Sequence, residues 1–104
     1  MAKAIVIDKT DNTATLFGEV RAGGLVSIVG ENGETLQEII ARQDIPVGHK
    51  IALREIGEGE KVIKYGEIIG VTTQKIQRGG HVHVQNVVSG IFPGEPISSN
   101  PRVS

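Results

Sequence analysis

Residues 45–51 read Ile45-Pro-Val-Gly48-His49-Lys50-Ile51: a β-branched residue, two variable positions, a glycine, two more variable positions and a second β-branched residue. Residues 20–26, 56–62 and 76–82 follow the same template. Such a pattern is typical of a tight turn whose left-handed position needs glycine, followed by entry into a strand. The copies begin 25, 11 and 20 residues apart. Because this spacing is uneven, it predicts one coiled β structure with frequent turns, not a regular solenoid.

The composition agrees with this prediction. Ile (14) and Val (12) far outnumber Leu (4), and 14 of the 104 residues are glycine, about twice the usual ~7%. β-Branched residues favour strands, and glycine favours turns. We therefore expect a single all-β domain.

Strand patterns lie on both sides of the first corner. Residues 4–7 and 13–17 form a predicted hairpin. Residues 25–29 form a third predicted strand, and the turn that follows it contains Asn32-Gly33, a good hairpin signal. Residues 35–43 fit helical and strand spacing equally well, and we assign them as a strand.

The second half predicts a further strand pair and one helical turn. Residues 61–70 form two strand halves joined at Tyr65-Gly66. Thr72 is a candidate cap for a single helical turn over 72–75. We place the domain at residues 1–88 and an extended Pro- and Ser-containing tail at 89–104.

All three histidines lie at or just after the repeated corners. His49 follows Gly48, and His81 and His83 follow Gly80. Residues two apart in a strand share a face, so His81 and His83 are expected about 7 Å apart on one side. Such a pair suits joint coordination of a divalent metal or contact with an anionic substrate, although a solvated strand face gives the same pattern. The third histidine and the nearby Asn86 favour a functional site.

Lys50, Lys64 and Tyr65 are the other candidates. Lys50 follows His49, and Lys64-Tyr65-Gly66 lies at the centre of the predicted strand pair. A cation and a phenol placed there can contact carboxylate or hydroxyl groups of a polar ligand. Ordinary surface lysines are the competing interpretation.

Several classes of function are disfavoured. Eleven Lys and Arg against twelve Asp and Glu leave a net charge of −1, so the chain lacks the basic field that nucleic-acid binding needs. The absence of cysteine excludes disulfides, Cys-ligated zinc and thiol nucleophiles. The N-terminus lacks a signal-peptide core, and no apolar stretch approaches the ~18 residues of a membrane span. We expect a cytoplasmic protein with neither nucleic-acid nor membrane partners.

Three blocks of the chain together resemble the N-terminal SAF domain of the altronate/galactarate dehydratase family. They carry Gly48-His49-Lys50, Lys64-Tyr65-Gly66 and His81-Val-His83-Val-Gln-Asn86. The small subunit of sulfolactate sulfo-lyase shows a similar pattern. The resemblance covers about residues 10–88 and implies a β-clip fold with short turns and at most one or two helical turns.

The resemblance also implies a chemistry. In that family the SAF domain accompanies a larger catalytic region, and the reaction is a β-elimination of water from a sugar acid, or of sulfite in the sulfo-lyase. It implies Fe²⁺ or another divalent metal, shared with or held by the large subunit. We expect His49, His81 and His83 to contact that metal or the substrate, with Lys50, Lys64, Tyr65 and Asn86 binding the substrate.

Three functions follow as alternatives. The chain is a non-autonomous subunit of a sugar-acid dehydratase or sulfo-lyase, a ligand-binding SAF module that acts alone, or an assembly element of an oligomer. The leaving group cannot be read from these residues, since residues of the larger region select it.

Overall fold

A computed structural model describes residues 1–88 of the chain, and these residues form strands and turns without a helix. The strands are β1 (Ala2–Ile5), β2 (Thr13–Leu16), β3 (Leu25–Val29), β4 (Thr35–Ile40), β5 (Lys50–Ala52), β6 (Lys61–Lys64), β7 (Glu67–Thr72), β8 (His81–Val82) and β9 (Val87–Val88). The all-β prediction is confirmed and is consistent with a SAF domain. The predicted tail, residues 89–104, lies outside the described residues.

The strands form two sheets. The larger has the order β4-β3-β1-β2-β5-β8, and the smaller has the order β6-β7-β9. The predicted hairpin of β1 and β2 is present, with Ala4 opposite Leu16, as are the antiparallel pairs β3–β4 and β6–β7. Because β8 is the last strand of its sheet, the residues that follow Gly80 lie at a sheet edge.

The four glycine segments form the same turn, and we call them corners 1 to 4 in chain order (20–26, 45–51, 56–62 and 76–82). In each, the residue after the glycine donates a backbone hydrogen bond to the carbonyl three residues earlier, at 2.8 to 3.2 Å. The glycines have φ between 77° and 86°, the conformation of the third residue of a type II turn. Backbone bridges pair corner 1 with corner 2, through Val20 and Ile45, and corner 3 with corner 4, through Ile56 and Ile76.

Two apolar clusters support the sheets. One consists of side chains from the larger sheet, among them Leu16, Ile28, Ile39 and Ile51. The other consists of side chains from corners 3 and 4, which pack around Val62. Burying an aliphatic side chain of this size contributes about 1.5–3 kcal/mol. These clusters therefore fix the corners that carry the histidines.

Buried Asn12 joins the two sheets. Its Nδ2 donates to the Lys61 carbonyl at 2.8 Å, and its Oδ1 accepts from the Ile63 N–H at 2.8 Å. Both polar ends of a side chain that is 1% exposed are thereby satisfied, which removes the penalty of burying them. The bonds hold β6 beside the start of β2.

The predicted helical turn over 72–75 is wrong. Thr72 ends β7, and its buried hydroxyl donates to the Gly57 carbonyl at 2.6 Å and accepts from the Glu60 N–H at 3.1 Å. A side chain engaged across corner 3 is not available to cap a helix. The ambiguous residues 35–43 contain the strand Thr35–Ile40, and the first strand lies two residues earlier than predicted.

Candidate functional site

The structure brings the three histidines together at one edge of the larger sheet. Antiparallel pairing of β5 with β8 sets Ile51 opposite His81, so the turn before β5 lies beside the start of β8. The ring centroids of His49 lie 5.0 Å from His81 and 3.6 Å from His83, and His81 and His83 are 5.8 Å apart. The prediction that His81 and His83 share a side is confirmed. We call these three side chains the imidazole cluster.

Hydrogen bonds set the proton positions in this cluster. Gln85 Nε2 lies 3.2 Å from His81 Nδ1, and His81 Nε2 lies 2.8 Å from His49 Nδ1. An amide nitrogen only donates, so His81 Nδ1 accepts. Neutral His81 then carries its proton on Nε2 and donates it to His49. His83 Nδ1, by contrast, is buried without a hydrogen-bond partner among the described residues.

The surroundings of His81 and His83 favour their neutral forms. Burial lowers the pKa of His81, and the charges of His49, His83 and Lys50 lower it further. The pKa of His83 is lowered for the same reasons, with burial again the largest cause, followed by His49 and Lys50. A neutral imidazole has a free nitrogen lone pair, which is the form that binds a metal or accepts a proton.

Polar side chains hold the backbone around His81 and His83. Asn86 is buried, donates through Nδ2 to the His81 carbonyl at 2.8 Å and accepts at Oδ1 from the His83 N–H at 3.0 Å. Gln43 Oε1 accepts from the His81 N–H at 2.8 Å. Sequence reasoning placed Asn86 among the substrate contacts, but both ends of its amide bond to backbone here.

The two candidate lysines lie near each other. Lys50 is half-buried, and burial lowers its pKa most, followed by the charge of Lys64. Neither lysine has a carboxylate partner in residues 1–88, where the ion pairs are Arg54–Glu60 and Lys75–Glu55. A half-buried cation next to a second cation, with no counter-ion, is suited to an anionic ligand.

Thr15 adds a polar atom next to Lys50. It pairs directly with Lys50 across β2 and β5, and its hydroxyl is buried with no hydrogen-bond partner among the described residues. Opposite residues in an antiparallel pair bring their Cβ atoms to about 4.5–5.5 Å. Thr15 is therefore a donor that sequence reasoning did not identify.

Tyr65 lies at the turn between β6 and β7. It has φ of 54°, and its ring lies 5.1 Å from the Lys64 ammonium. This distance is within the range of a cation–π contact. The structure thus places Tyr65 beside Lys64 on an exposed turn.

The imidazole cluster has the donor set of a divalent metal site. Each histidine offers one nitrogen, and these atoms lie within 4.8 Å of one another. Imidazole nitrogen suits zinc, copper, iron and nickel. The orphaned Nδ1 of His83 is an available ligand, while the His49–His81 hydrogen bond would have to open. The residues therefore fit a metal once this hydrogen bond opens.

Two cavities differ in their relation to this cluster. A polar cavity of about 400 Å³ has His81, Asn86 and Gly80 in its wall. A larger one, of about 520 Å³, lies between the β1–β2 and β3–β4 connections and mixes acidic Asp8 and Glu31 with basic Lys9 and Arg54. It contains none of the candidate residues. Only the smaller of these two borders the imidazole cluster.

Fold and site together define a small all-β domain in which repeated glycine turns gather three imidazoles and Lys50 at a sheet edge, with Lys64 near Lys50. The family model for the altronate/galactarate dehydratase SAF domain matches residues 2–90. The chain belongs to this family.

Relatives of two kinds share the domain. The chain is 33% identical to altronate dehydratase of Bacillus subtilis over 98% of this chain and 19% of that protein. It is 36% identical to galactarate dehydratase (L-threo-forming) of Escherichia coli over 81% of this chain and 15% of that protein. It is 41% identical to (2R)-sulfolactate sulfo-lyase subunit alpha of Chromohalobacter salexigens over 80% of this chain and 89% of that subunit. The chain thus spans under a fifth of these two dehydratases and most of the sulfo-lyase subunit.

No helix within residues 1–88 is long and apolar enough to span a membrane.

The structure brings His49, His81 and His83 together and places Lys50 near them. Strand spacing predicts only that His81 and His83 share a side. Gln43, Gln85 and Thr15 were missed. Gln85 stands beside the histidine motif, but glutamine on a surface turn carries no signal by itself. Gln43 and Thr15 reach the site only through tertiary pairing.

Proposed function

We propose that this chain is the SAF component of a lyase that eliminates water from a sugar acid, and that it acts with a larger catalytic region, fused or separate. The observation that carries the proposal is the meeting of three imidazoles beside Lys50, which with Lys64 lacks a carboxylate partner within residues 1–88. Such a group is suited to an anionic substrate and a metal, but within residues 1–88 it lacks the carboxylates or further ligands that would complete a catalytic site. The small share of the dehydratases that the chain spans supports a larger partner.

In this proposal the imidazole cluster holds a divalent cation, of which Fe²⁺ is the expected one, at the boundary with the larger region. Bound there, the cation would supply Lewis-acid polarisation of the substrate carboxylate and of the departing hydroxyl. Direct contact of the histidines with substrate is the alternative role.

The remaining residues bind and orient. Lys50 and Lys64 bind the carboxylate beside the carbon that loses its proton, and the Thr15 hydroxyl donates to it. Asn86 and Gln43 keep the backbone of His81 in place. Tyr65, on the exposed turn, contacts substrate hydroxyls at the rim. Asn86 therefore acts as a positioning residue in this proposal.

Metal titration of the purified chain tests the cluster. Co²⁺ is added to the wild type, to His49→Gln and to the double variant His81→Gln with His83→Gln, and its absorption spectrum and affinity are measured. We expect binding by the wild type and a loss of at least about tenfold in each histidine variant. Glu60→Gln is the matched control, because Glu60 occupies in corner 3 the template position of His49. Equal binding by all four proteins would remove the metal from the proposal.

Reconstitution with a dehydratase-like catalytic polypeptide tests the subunit role. We expect elimination from altronate or galactarate only when both parts are present, and its loss in His81→Ala with His83→Ala. Full activity of the large polypeptide alone would contradict the subunit role. Full activity of the variant complex would contradict the assignment of the histidines.

The sulfo-lyase is the second candidate, because the chain spans 89% of subunit alpha at 41% identity. Both reactions need the same carboxylate binding and differ in the leaving group. Sulfite release from sulfolactate, measured in the same reconstitution with a sulfo-lyase-like large polypeptide, decides between them. Tight binding of either acid by the isolated chain, without a partner that it activates, would favour a solitary binding module. Unchanged assembly and activity in all histidine variants would favour a purely structural role.

A further inference from the structure

The polar cavity beside His81 has no role in the function proposed above, although Gln43, His81 and Asn86 are in its wall. Its volume is about 400 Å³, within the range of about 300–1,000 Å³ that is usual for small-molecule sites. The side chains that matter for its chemistry are Arg42, Gln43, Gln74, Lys75, Gln77 and His81. We call it the glutamine cavity.

The charge of the glutamine cavity selects an anion. Among residues 1–88, its lining includes two cations and no carboxylate. The Arg42 guanidinium makes no hydrogen bond or ion pair within residues 1–88, and Lys75 has only a loose pairing, at 3.8 Å, with the exposed Glu55. A guanidinium can bind a carboxylate through two parallel hydrogen bonds. A metal cation would be repelled from such a lining.

The neutral groups select hydroxyls. Each of the three glutamine amides offers both donors and an acceptor, which is the complement of an alcohol that donates and accepts. Gln43 uses its Oε1 for the His81 N–H, so its amide hydrogens are left for a ligand. The part of the lining that residues 1–88 provide has no phenylalanine, tyrosine or tryptophan, which disfavours a nucleobase or another flat ligand.

The location connects this cavity to the imidazole cluster. His81 belongs to both, because its ring bonds to His49 and its backbone N–H bonds to Gln43. A ligand whose reacting end lies at the imidazole cluster can therefore extend its remaining atoms into the glutamine cavity.

We propose that the glutamine cavity binds the distal, polyhydroxylated end of the substrate, with Arg42 receiving a second carboxylate. This inference rests on the proposed function and narrows its substrate to long-chain sugar acids, above all dianionic ones. A three-carbon acid such as sulfolactate leaves the cavity unfilled.

The test is a titration of the ¹⁵N-labelled full chain, followed through the side-chain signals of glutamine and arginine. Galactarate, sulfolactate and inorganic sulfate are added in separate experiments. We expect galactarate to shift the signals of Arg42, Gln74 and Gln77, sulfolactate to leave Gln74 and Gln77 unchanged, and sulfate to bind more weakly than galactarate. Equal binding of sulfate and galactarate would reduce the cavity to a simple anion site and overturn the inference.

Variants separate charge from hydroxyl recognition. Arg42→Gln should weaken galactarate binding about tenfold, the loss of one charge-assisted contact. Arg21→Gln, which removes the same charge from an exposed position in corner 1, should not weaken it. Gln74→Leu with Gln77→Leu keeps the charge and should abolish the preference for galactarate over sulfate. Equal effects of Arg42→Gln and Arg21→Gln, or no response of the cavity signals to any ligand, would overturn the inference.

These experiments distinguish a failure of this inference from a failure of the proposed function. If galactarate shifts the signals of Lys50 and the histidines but not those of the cavity, the inference is wrong and the proposed function stands. If the cavity binds galactarate with unchanged affinity in His81→Ala with His83→Ala, the cavity assignment holds and the role of the imidazole cluster in substrate binding does not.

Discussion

Corners 1 and 4 differ from corners 2 and 3 at the residue that closes the turn. In corners 1 and 4 this residue is glycine, and the turn hydrogen bonds Gly24–Arg21 and Gly80–Gln77 are both 2.8 Å. In corners 2 and 3 it is His49 or Glu60, and the equivalent bonds lengthen to 3.2 and 3.1 Å. A Cβ on Gly24 or Gly80 would lie within 2.9 Å of the turn's own atoms. The turn therefore opens slightly wherever its closing residue carries a side chain.

The same backbone turn thus occurs in two forms. In corners 1 and 4, the closed corners, glycine closes the turn, whereas in corners 2 and 3, the open corners, the closing residue presents a side chain. Corners 2 and 4 become a site because β5 and β8 pair with each other, whereas the strand after corner 1 pairs with β1 and β4 and the strand after corner 3 pairs with β7. Strand pairing, rather than the turn, decides which corners contribute to the site.

The largest effect is expected where a corner glycine contacts another strand. Gly79 and Gly23 both have φ of +86°, but a Cβ on Gly79 would lie 2.4 Å from the Ile40 carbonyl oxygen, and one on Gly23 would meet nothing within 4 Å. Gly23→Ala should lower the free energy of unfolding by about 1–2 kcal/mol, the strain of the left-handed backbone. Gly79→Ala adds a backbone clash and should lower it by about 3 kcal/mol or more. Urea unfolding measures both, and equal losses would contradict the difference between the corners.

Asn86 provides the second test, because it joins His81, near the end of corner 4, to His83. Asn86→Ala leaves the His81 carbonyl and the His83 N–H without their buried partner and should lower the free energy of unfolding by about 2 kcal/mol. Asn86→Asp keeps the acceptor for the His83 N–H but sets a buried carboxylate oxygen against the His81 carbonyl, so it should not restore the lost stability at neutral pH. The exposed neighbour Gln85 is the control, and Gln85→Ala should have little effect on unfolding. If Asn86→Ala and Gln85→Ala were equally mild, Asn86 would not be a positioning residue.

The sequence predicts the corners well and the site in part. A glycine between β-branched anchors is a local signal, because the turn needs positive φ whatever lies around it. The gathering of His49 with His81 and His83 is not local, since it depends on β5 pairing with β8 across 30 residues of chain. Strand spacing puts His81 and His83 on one side, but nothing in the local pattern places Thr15 opposite Lys50 or Gln43 against His81.

At Thr72, by contrast, a local signal is present but predicts the wrong structure. A threonine before polar residues is a reasonable helix cap, but here its hydroxyl is engaged by Gly57 and Glu60 of corner 3. A tertiary hydrogen bond overrides the local preference, and the residues that follow remain irregular. Capping predictions therefore fail where the cap residue ends a buried strand.

The pH dependence of stability should distinguish the corners that carry histidine from the corner that carries Glu60. The pKa values of His81 and His83 are lowered in the folded chain, so the unfolded chain binds more protons as the pH falls through about 6.5. Stability should therefore fall between about pH 7 and 5. The double variant His81→Gln with His83→Gln should show a flatter profile in this range, measured by urea unfolding at each pH. An unchanged slope would show that these imidazoles titrate alike in the folded and unfolded chains.

The smallest effect is expected at Glu60, the acidic counterpart of His49. Hydrogen bonds from Arg54 and from the Gly57 N–H lower the pKa of Glu60, burial opposes them, and the charge of Arg54 lowers it further. The stability this provides is present at neutral pH and is lost only in more acidic solution than the histidine effect, because the folded pKa lies below the unfolded one. Glu60→Gln keeps an oxygen for Gly57 but removes the ion pair, whose side chains are 54% and 37% exposed.

Exposed pairs of this kind contribute about 0.2–1 kcal/mol, so Glu60→Gln should lower the free energy of unfolding by about 0.5 kcal/mol at neutral pH. A double-mutant cycle with Arg54→Gln isolates the pair, and added salt should reduce its coupling energy because the pair is open to solvent. A coupling several times larger, or one insensitive to salt, would mean that corner 3 depends on its acidic residue for its structure. In that case the turn itself would require a side chain at the residue after the corner glycine. The position of His49 would then not by itself indicate a function.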